Sequence, residues 1–178
     1  MKRDELVAYL DGFLLVKTIE DQSNNGLQVE GAAEVSRLAF AVDASQAAFE
    51  HAREAGAQML IVHHGLFWDS PLMVIGVHRR RLKLLLDADL SLYASHLPLD
   101  FHDTVGNNVT LARWLGLKDL GPFGDYKGLP AGVTGRLPAA LSMDRFAALV
   151  EKSLGEQVAR VWPIGPSTVR HEGIVSGG

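Results

Sequence analysis

Two adjacent histidines are the residues of this sequence best suited to chemistry. His63 and His64 follow an apolar run at residues 59–62 and precede Gly65. Adjacent side chains of a regular strand point to opposite faces, but a glycine lets the chain turn sharply at a strand end. Both imidazoles can then face the cleft where α/β sheets bind ligands, and such a pair suits a transition metal. Taken alone, the pair is explained more simply by hydrogen bonding in a loop.

A second group of metal-type ligands follows another predicted strand, at residues 90–94. It consists of His96, Asp100 and His102, and Pro98 is expected to keep the segment extended or turned rather than helical. The ends of parallel strands open onto one rim of a sheet. Histidine and carboxylate without sulfur form the ligand set of catalytic zinc, iron or manganese sites.

The two groups together favour a metal site built from His63, His64, His96 and Asp100. The simpler alternative is that His96 and Asp100 only cap a strand and a turn. Asp43, at the end of a predicted strand, either orients a histidine or caps the helix expected from residue 46.

The pattern of elements around these residues predicts an α/β fold. Helices and strands alternate up to residue 115, which indicates a mainly parallel central sheet flanked by helices. Residues 21–31 are predicted to be a loop with a turn at 25–26. Residues 158–162 are expected to form a strand, and residues 171–172 a loop.

The domain prediction has three parts. Residues 1–117 form an α/β domain that carries the metal-ligand motifs, and residues 118–130, which are rich in glycine and proline, form a loop or boundary. Residues 131–178 form a smaller, partial second α/β portion.

Composition excludes several classes of protein. The chain has 178 residues, of which 47% are apolar and 21% charged, and its net charge of -4 argues against nucleic-acid binding. It has no cysteine, so a metal must be held by His, Asp and Glu. No apolar run approaches membrane-spanning length and the amino terminus does not resemble a signal peptide, so we expect a cytoplasmic protein. Motifs of nucleotide-cofactor enzymes, NTPases and serine hydrolases are absent from the sequence.

Four short motifs resemble those of the Nif-three-like family, whose members are often labelled GTP cyclohydrolase I type II homologues. They lie in the family's order at residues 25–31, 63–68, 96–100 and 106–108. The resemblance implies an α/β fold, a site for two metal ions and a ring-shaped homohexamer. It implies that His63, His64 and Asp100 are metal ligands, with His96 beside them. For a hydrolase, we expect His96 to be a further ligand or a catalytic proton carrier.

The sequence departs from the resemblance at its end. Family members continue further and supply a histidine and a glutamate, four residues apart, to the metals. His171 and Glu172 do not have that spacing, so we expect the chain to lack the C-terminal part of the family.

Two functions follow as hypotheses. The first is a metal-dependent hydrolase in which zinc, iron or manganese activates water against a nucleotide-like or other small substrate. The alternative is a non-catalytic metal-binding scaffold or regulatory protein that forms a ring.

Overall fold

The computed structural model describes residues 1–177. They form two compact units, of which the first is Met1–Leu99 and the second begins at Asp100. The division at residues 1–117, 118–130 and 131–178 stays a prediction.

The first unit contains a four-stranded sheet in the order β1-β4-β3-β2. Its elements in chain order are α1 (Arg3–Phe13), β1 (Gly26–Val29), β2 (Leu38–Asp43), α2 (Gln46–Glu54), β3 (Met59–His64), α3 (Gly76–Asp87) and β4 (Ser91–Ala94). Strands β2, β3 and β4 run parallel, whereas β1 pairs antiparallel with β4. The expected mainly parallel sheet is therefore confirmed.

Two local predictions in this unit are wrong. Strand β1 lies within the predicted loop at residues 21–31, because Gly26 and Leu27 pair with β4 across a long sequence separation. The segment at Pro98 is a single helical turn, α4 (Leu97–Asp100). Proline is compatible with the first turn of a helix, where its missing N–H has no helical partner to lose.

Strand β3 is covered on both faces, as its unbroken apolar run predicts. Leu60 and Val62 pack in a cluster with Phe49 of α2 and Leu85 of α3. Met59, on the opposite face, packs in a second cluster that includes Leu6 of α1. The strand that carries His63 and His64 thus lies between two hydrophobic clusters.

The second unit contains a three-stranded antiparallel sheet in the order β5-β6-β7. Its elements are α5 (Asn107–Trp114), β5 (Lys118–Phe123), β6 (Gly132–Ser142), α6 (Met143–Leu154) and β7 (Thr168–Ile174).

Three predictions for the second unit need correction. Strand β5 occupies part of the predicted loop at 118–130, because it pairs with β6. It lies at the edge of the sheet, where a proline such as Pro122 is tolerated. Residues 171–172 lie in strand β7 rather than in a loop, since they pair with β6. Residues 158–162 are not a strand; Val161 and Trp162 are exposed, and an apolar run without a partner strand has no ladder to join.

Glu172 is a buried carboxyl group on β7. Its residue is 8% exposed, and neither carboxylate oxygen has a hydrogen-bond partner among residues 1–177. Burial raises the pKa of Glu172 above its ordinary value, since a charged carboxylate loses its hydration in the interior.

Replacement of Glu172 by Gln is expected to change how stability depends on pH. A raised folded-state pKa contributes stability below the unfolded-state value of about 4.5, and that contribution is lost as pH rises through the folded value. The Glu172→Gln protein should therefore unfold at higher urea concentration than the wild type at pH 7, with a gap that closes toward pH 4. The exposed Glu156→Gln serves as control, and parallel pH profiles for wild type and Glu172→Gln would contradict the prediction.

Gly31 lies in close contact with the backbone of residues 89–91. A Cβ atom there would lie 2.5 Å from both the Asp89 oxygen and the Ser91 nitrogen. Gly31→Ala should lower the free energy of unfolding by about 1–3 kcal/mol, because backbone atoms would have to move apart. Gly12→Ala on α1 is the matched control, since its Cβ meets nothing within 4 Å, and it should stabilise by about 0.5–1 kcal/mol. Urea denaturation measures both, and similar stabilities for the two variants would refute this account.

Candidate metal centre

Three histidines of the first unit come together at the end of β3. One ring nitrogen from each of His63, His64 and His96 lies within 4.8 Å of the other two. The ring centroids are 4.5 Å apart for His63 and His64, 5.0 Å for His63 and His96, and 5.6 Å for His64 and His96. We call these residues the histidine cluster, and their spacing could hold a metal ion.

Each ring of the histidine cluster is oriented through its Nδ1 atom. His63 Nδ1 lies 3.0 Å from the Ser95 carbonyl oxygen, His64 Nδ1 lies 2.7 Å from Asp43 Oδ1, and His96 Nδ1 lies 3.0 Å from Asp21 Oδ1. A carbonyl or carboxylate oxygen accepts a hydrogen bond, so Nδ1 is the donor in each neutral ring. Nε2 then carries the lone pair that a metal needs.

These contacts test whether the residues fit a metal, and they do. Metal-ligating histidines characteristically donate their other ring N–H to a carboxylate or a backbone carbonyl, which sets the tautomer and raises the basicity of the ligand nitrogen. All three members of the histidine cluster show this arrangement. Neutral imidazoles of this kind suit zinc and iron.

The structure decides between the two interpretations of Asp43. Helix α2 is capped by Ser45, whose hydroxyl accepts a hydrogen bond from the Ala48 N–H at 3.1 Å. Asp43 instead accepts from His64. The alternative that Asp43 orients a histidine is therefore the one that the contacts support.

Asp21 was not identified from the sequence as a residue of the site. Its side chain is 2% exposed and accepts hydrogen bonds from His96, from the Asn25 amide at 2.8 Å and from the Leu97 N–H at 2.9 Å. Burial alone would raise the pKa of Asp21, but the hydrogen bonds from Asn25, His96 and two backbone N–H groups outweigh it and lower that pKa. The only local signal was the loop sequence itself, which equally fits an ordinary turn.

Gly65 is required for a different reason from the one predicted. It does not adopt a positive φ angle, but a Cβ atom there would lie 2.4 Å from the side-chain amide of Gln28. That amide accepts from the Leu66 N–H at 2.7 Å and donates to the Phe67 oxygen at 3.1 Å. Gln28 thereby holds the segment that follows the two histidines of β3.

Asp100 and His102 belong to the second unit. Asp100 is buried, and its Oδ1 accepts from Asn107 at 2.7 Å and from the Ser176 hydroxyl at 3.0 Å. His102 Nδ1 accepts from the backbone N–H groups of Thr104 and Val105, both at 3.2 Å. His102 thus stabilises a turn through this nitrogen, and the role of Asp100 as a metal ligand stays a prediction.

Within residues 1–177, none of the helices has the length and apolar character needed to cross a membrane.

Known proteins resemble this chain along its whole length. It is 45% identical over 175 residues to a GTP cyclohydrolase 1 type 2 homolog from Deinococcus radiodurans, in a match that covers 98% of the chain and 66% of that protein. The solved structure of the protein ybgI has a TM-score of 0.92 and 36% identity, and covers 100% of this chain and 70% of its own. A crystal structure of a Thermus thermophilus protein gives a TM-score of 0.91 at 43% identity, with coverages of 100% and 71%.

The chain therefore spans about two thirds of the length of these relatives. A family model matches residues 1–178 without a break. That model describes Duf34/NIF3 (NGG1p interacting factor 3) proteins, and the chain belongs to this family.

Proposed function

We propose that the protein is a cytoplasmic metal-dependent hydrolase with a site for two divalent ions, zinc, iron or manganese. In this proposal His63, His64 and Asp100 are ligands, and His96 is a further ligand or the proton carrier. The observation that supports it most is that every ring of the histidine cluster has its Nδ1 atom engaged by an oxygen acceptor.

Each group of the centre has a separate role in the proposed reaction. A bound divalent ion would lower the pKa of a coordinated water toward about 7 and so supply a nucleophile at neutral pH. Asp43 and the Ser95 carbonyl keep His64 and His63 in the tautomer with a basic Nε2. Asp21 does the same for His96 and would stabilise the positive charge if that ring accepted a proton.

The substrate that we propose is a nucleotide-like or other small molecule, and the assembly a hexameric ring. The name of the Deinococcus relative, GTP cyclohydrolase 1 type 2 homolog, supports the choice of substrate class. The histidine cluster is only partly buried, with a His64 side chain that is 44% exposed, so a small substrate has access from solvent.

A metal-binding scaffold or regulatory protein that forms a ring without turnover is the second candidate. The observation that favours it is that the potential ligand atoms brought together within residues 1–177 come from three histidines and include no carboxylate.

Metal content and turnover, measured together in the wild type and in a His64→Ala variant, test these two functions. His64→Ala should lower bound metal and abolish hydrolysis of GTP and simple phosphoesters, because one ligand is lost from the centre. Metal content by mass spectrometry and turnover are measured together, with the exposed His51→Ala on α2 as control. Stoichiometric metal without turnover in the wild type supports the scaffold, whereas unchanged metal content in His64→Ala removes the metal proposal altogether.

Asp43 provides a milder test of the same centre. Asp43→Ala should weaken metal binding by about 10–100-fold, because His64 loses the acceptor that orients it. Asp43→Asn should lose less, since its amide oxygen still accepts from Nδ1. Competition with a chromophoric chelator measures both affinities. Equal affinities for Asp43→Ala and the wild type would show that this hydrogen bond does not support the metal.

A further inference from the structure

A separate cavity of about 280 Å³ lies in the first unit, between the connection after β3 and helix α3. Gly65, Trp68 and Ser70 line it from the connection, and His78 and Arg81 line it from α3. The last two are three residues apart, so they share one face of the helix. We call this space the Arg81 cavity.

Two residues that line the Arg81 cavity each have a buried polar atom without a hydrogen-bond partner. His78 Nδ1 and Arg81 Nε are shielded from solvent, and neither makes a hydrogen bond to any residue from 1 to 177. Buried polar atoms are almost always paired, because an unpaired one loses its hydration without compensation. His78 and Arg81 thus place polar side chains without a protein partner for these atoms on the face of α3 that borders the cavity.

The charge of the lining indicates an anion. Arg81 is permanently cationic, and none of the residues that line the cavity is acidic. The Ser70 hydroxyl is a further potential donor. Arg79 and Arg80, neighbours on α3, add to the positive potential outside the cavity. A guanidinium group matches the geometry of phosphate oxygens particularly well.

Trp68 connects the Arg81 cavity with the histidine cluster. The centroid of its ring lies 5.0 Å from that of the His96 ring, in an edge-to-face arrangement, and 6.5 Å from that of the His64 ring. Its indole N–H already donates to the Gly65 oxygen at 3.1 Å. Trp68 therefore has its flat ring surface, rather than a donor, to contribute to a ligand.

We propose that the Arg81 cavity binds the phosphate group of a small phosphomonoester that contains one ring. Arg81 and His78 hold the phosphate, and Trp68 packs against the ring, next to the histidine cluster. A volume of about 280 Å³ is close to the lower limit for ligand sites, so the cavity itself has room for a phosphate group and about one ring. This inference refines the substrate class of the proposed function, but binding to the cavity requires no metal.

The test is calorimetric titration of metal-free protein with phenyl phosphate, inorganic phosphate and benzoate. The wild type should bind phenyl phosphate most tightly and benzoate most weakly. Arg81→Gln should weaken phenyl phosphate binding by about tenfold or more, because a charge-assisted hydrogen bond is lost. Arg80→Gln is the matched control: it removes the same charge from an exposed neighbour and should change affinity by less than about twofold.

A second variant separates the ring from the phosphate. Trp68→Leu should remove the preference for phenyl phosphate over inorganic phosphate and leave the affinity for inorganic phosphate unchanged. Circular dichroism establishes that each variant is folded. If Arg81→Gln is not, Arg81→Lys against Arg80→Lys decides, since lysine keeps the charge but lacks the planar, forked guanidinium group.

Three results would overturn the proposal. The first is absence of phenyl phosphate binding by the wild type up to about 10 mM. The second is equal weakening by substitutions at Arg81 and Arg80, which would indicate only diffuse attraction. The third is tighter binding of benzoate, which would assign the cavity to carboxylates. Since no metal is present, each of these leaves the histidine cluster to be judged by its own metal titration.

Discussion

The orientation of three imidazole rings by hydrogen bonds at Nδ1 is the constraint on which the centre depends. The acceptors come from three segments, since Asp43 ends β2, Ser95 follows β4, and Asp21 lies in the loop before β1. Strand β3 lies between β4 and β2 in the sheet. His63 and His64, at its end, can therefore each reach an acceptor on a different neighbouring strand. A change of strand order would separate the rings from these acceptors.

Two buried carboxyl groups show how donors decide the state of an acid in this protein. Asp21 is nearly inaccessible, yet its pKa is lowered, because several N–H donors replace the water that burial removes. Glu172 is also buried but has no donor among residues 1–177, and its pKa is raised. Asp21 is thus suited to remain an anion beside His96. Glu172 is buried without donors, so its carboxyl group is instead more easily protonated than an exposed one.

The basic run on α3 illustrates that neighbouring residues of one type differ in role. Arg80 is exposed and explained by solvation, whereas Arg81 is partly buried and lines a cavity beside Trp68. A solvated helix face is the common explanation for a run of basic residues on a helix. Position on the helix face makes the difference, because only one face of α3 is directed toward the connection that follows β3.

Local sequence determined much of the framework. The apolar run at 59–62 predicted a strand covered on both faces, and the alternation of elements predicted a mainly parallel sheet; both are observed. The metal-type residues His63, His64 and His96 were also recognisable by type and spacing. These features depend on side-chain periodicity within a few residues, which a sequence shows directly.

Only the tertiary structure decided the rest. Strands β1 and β5 form in segments with turn or loop composition, because partner strands supply their hydrogen bonds. The bond from Asp21 to His96 joins residues 75 positions apart, and Gly65 is required by a distant Gln28 rather than by its own backbone angles. Such contacts depend on which segments the fold brings together, and no local pattern of residues encodes that proximity.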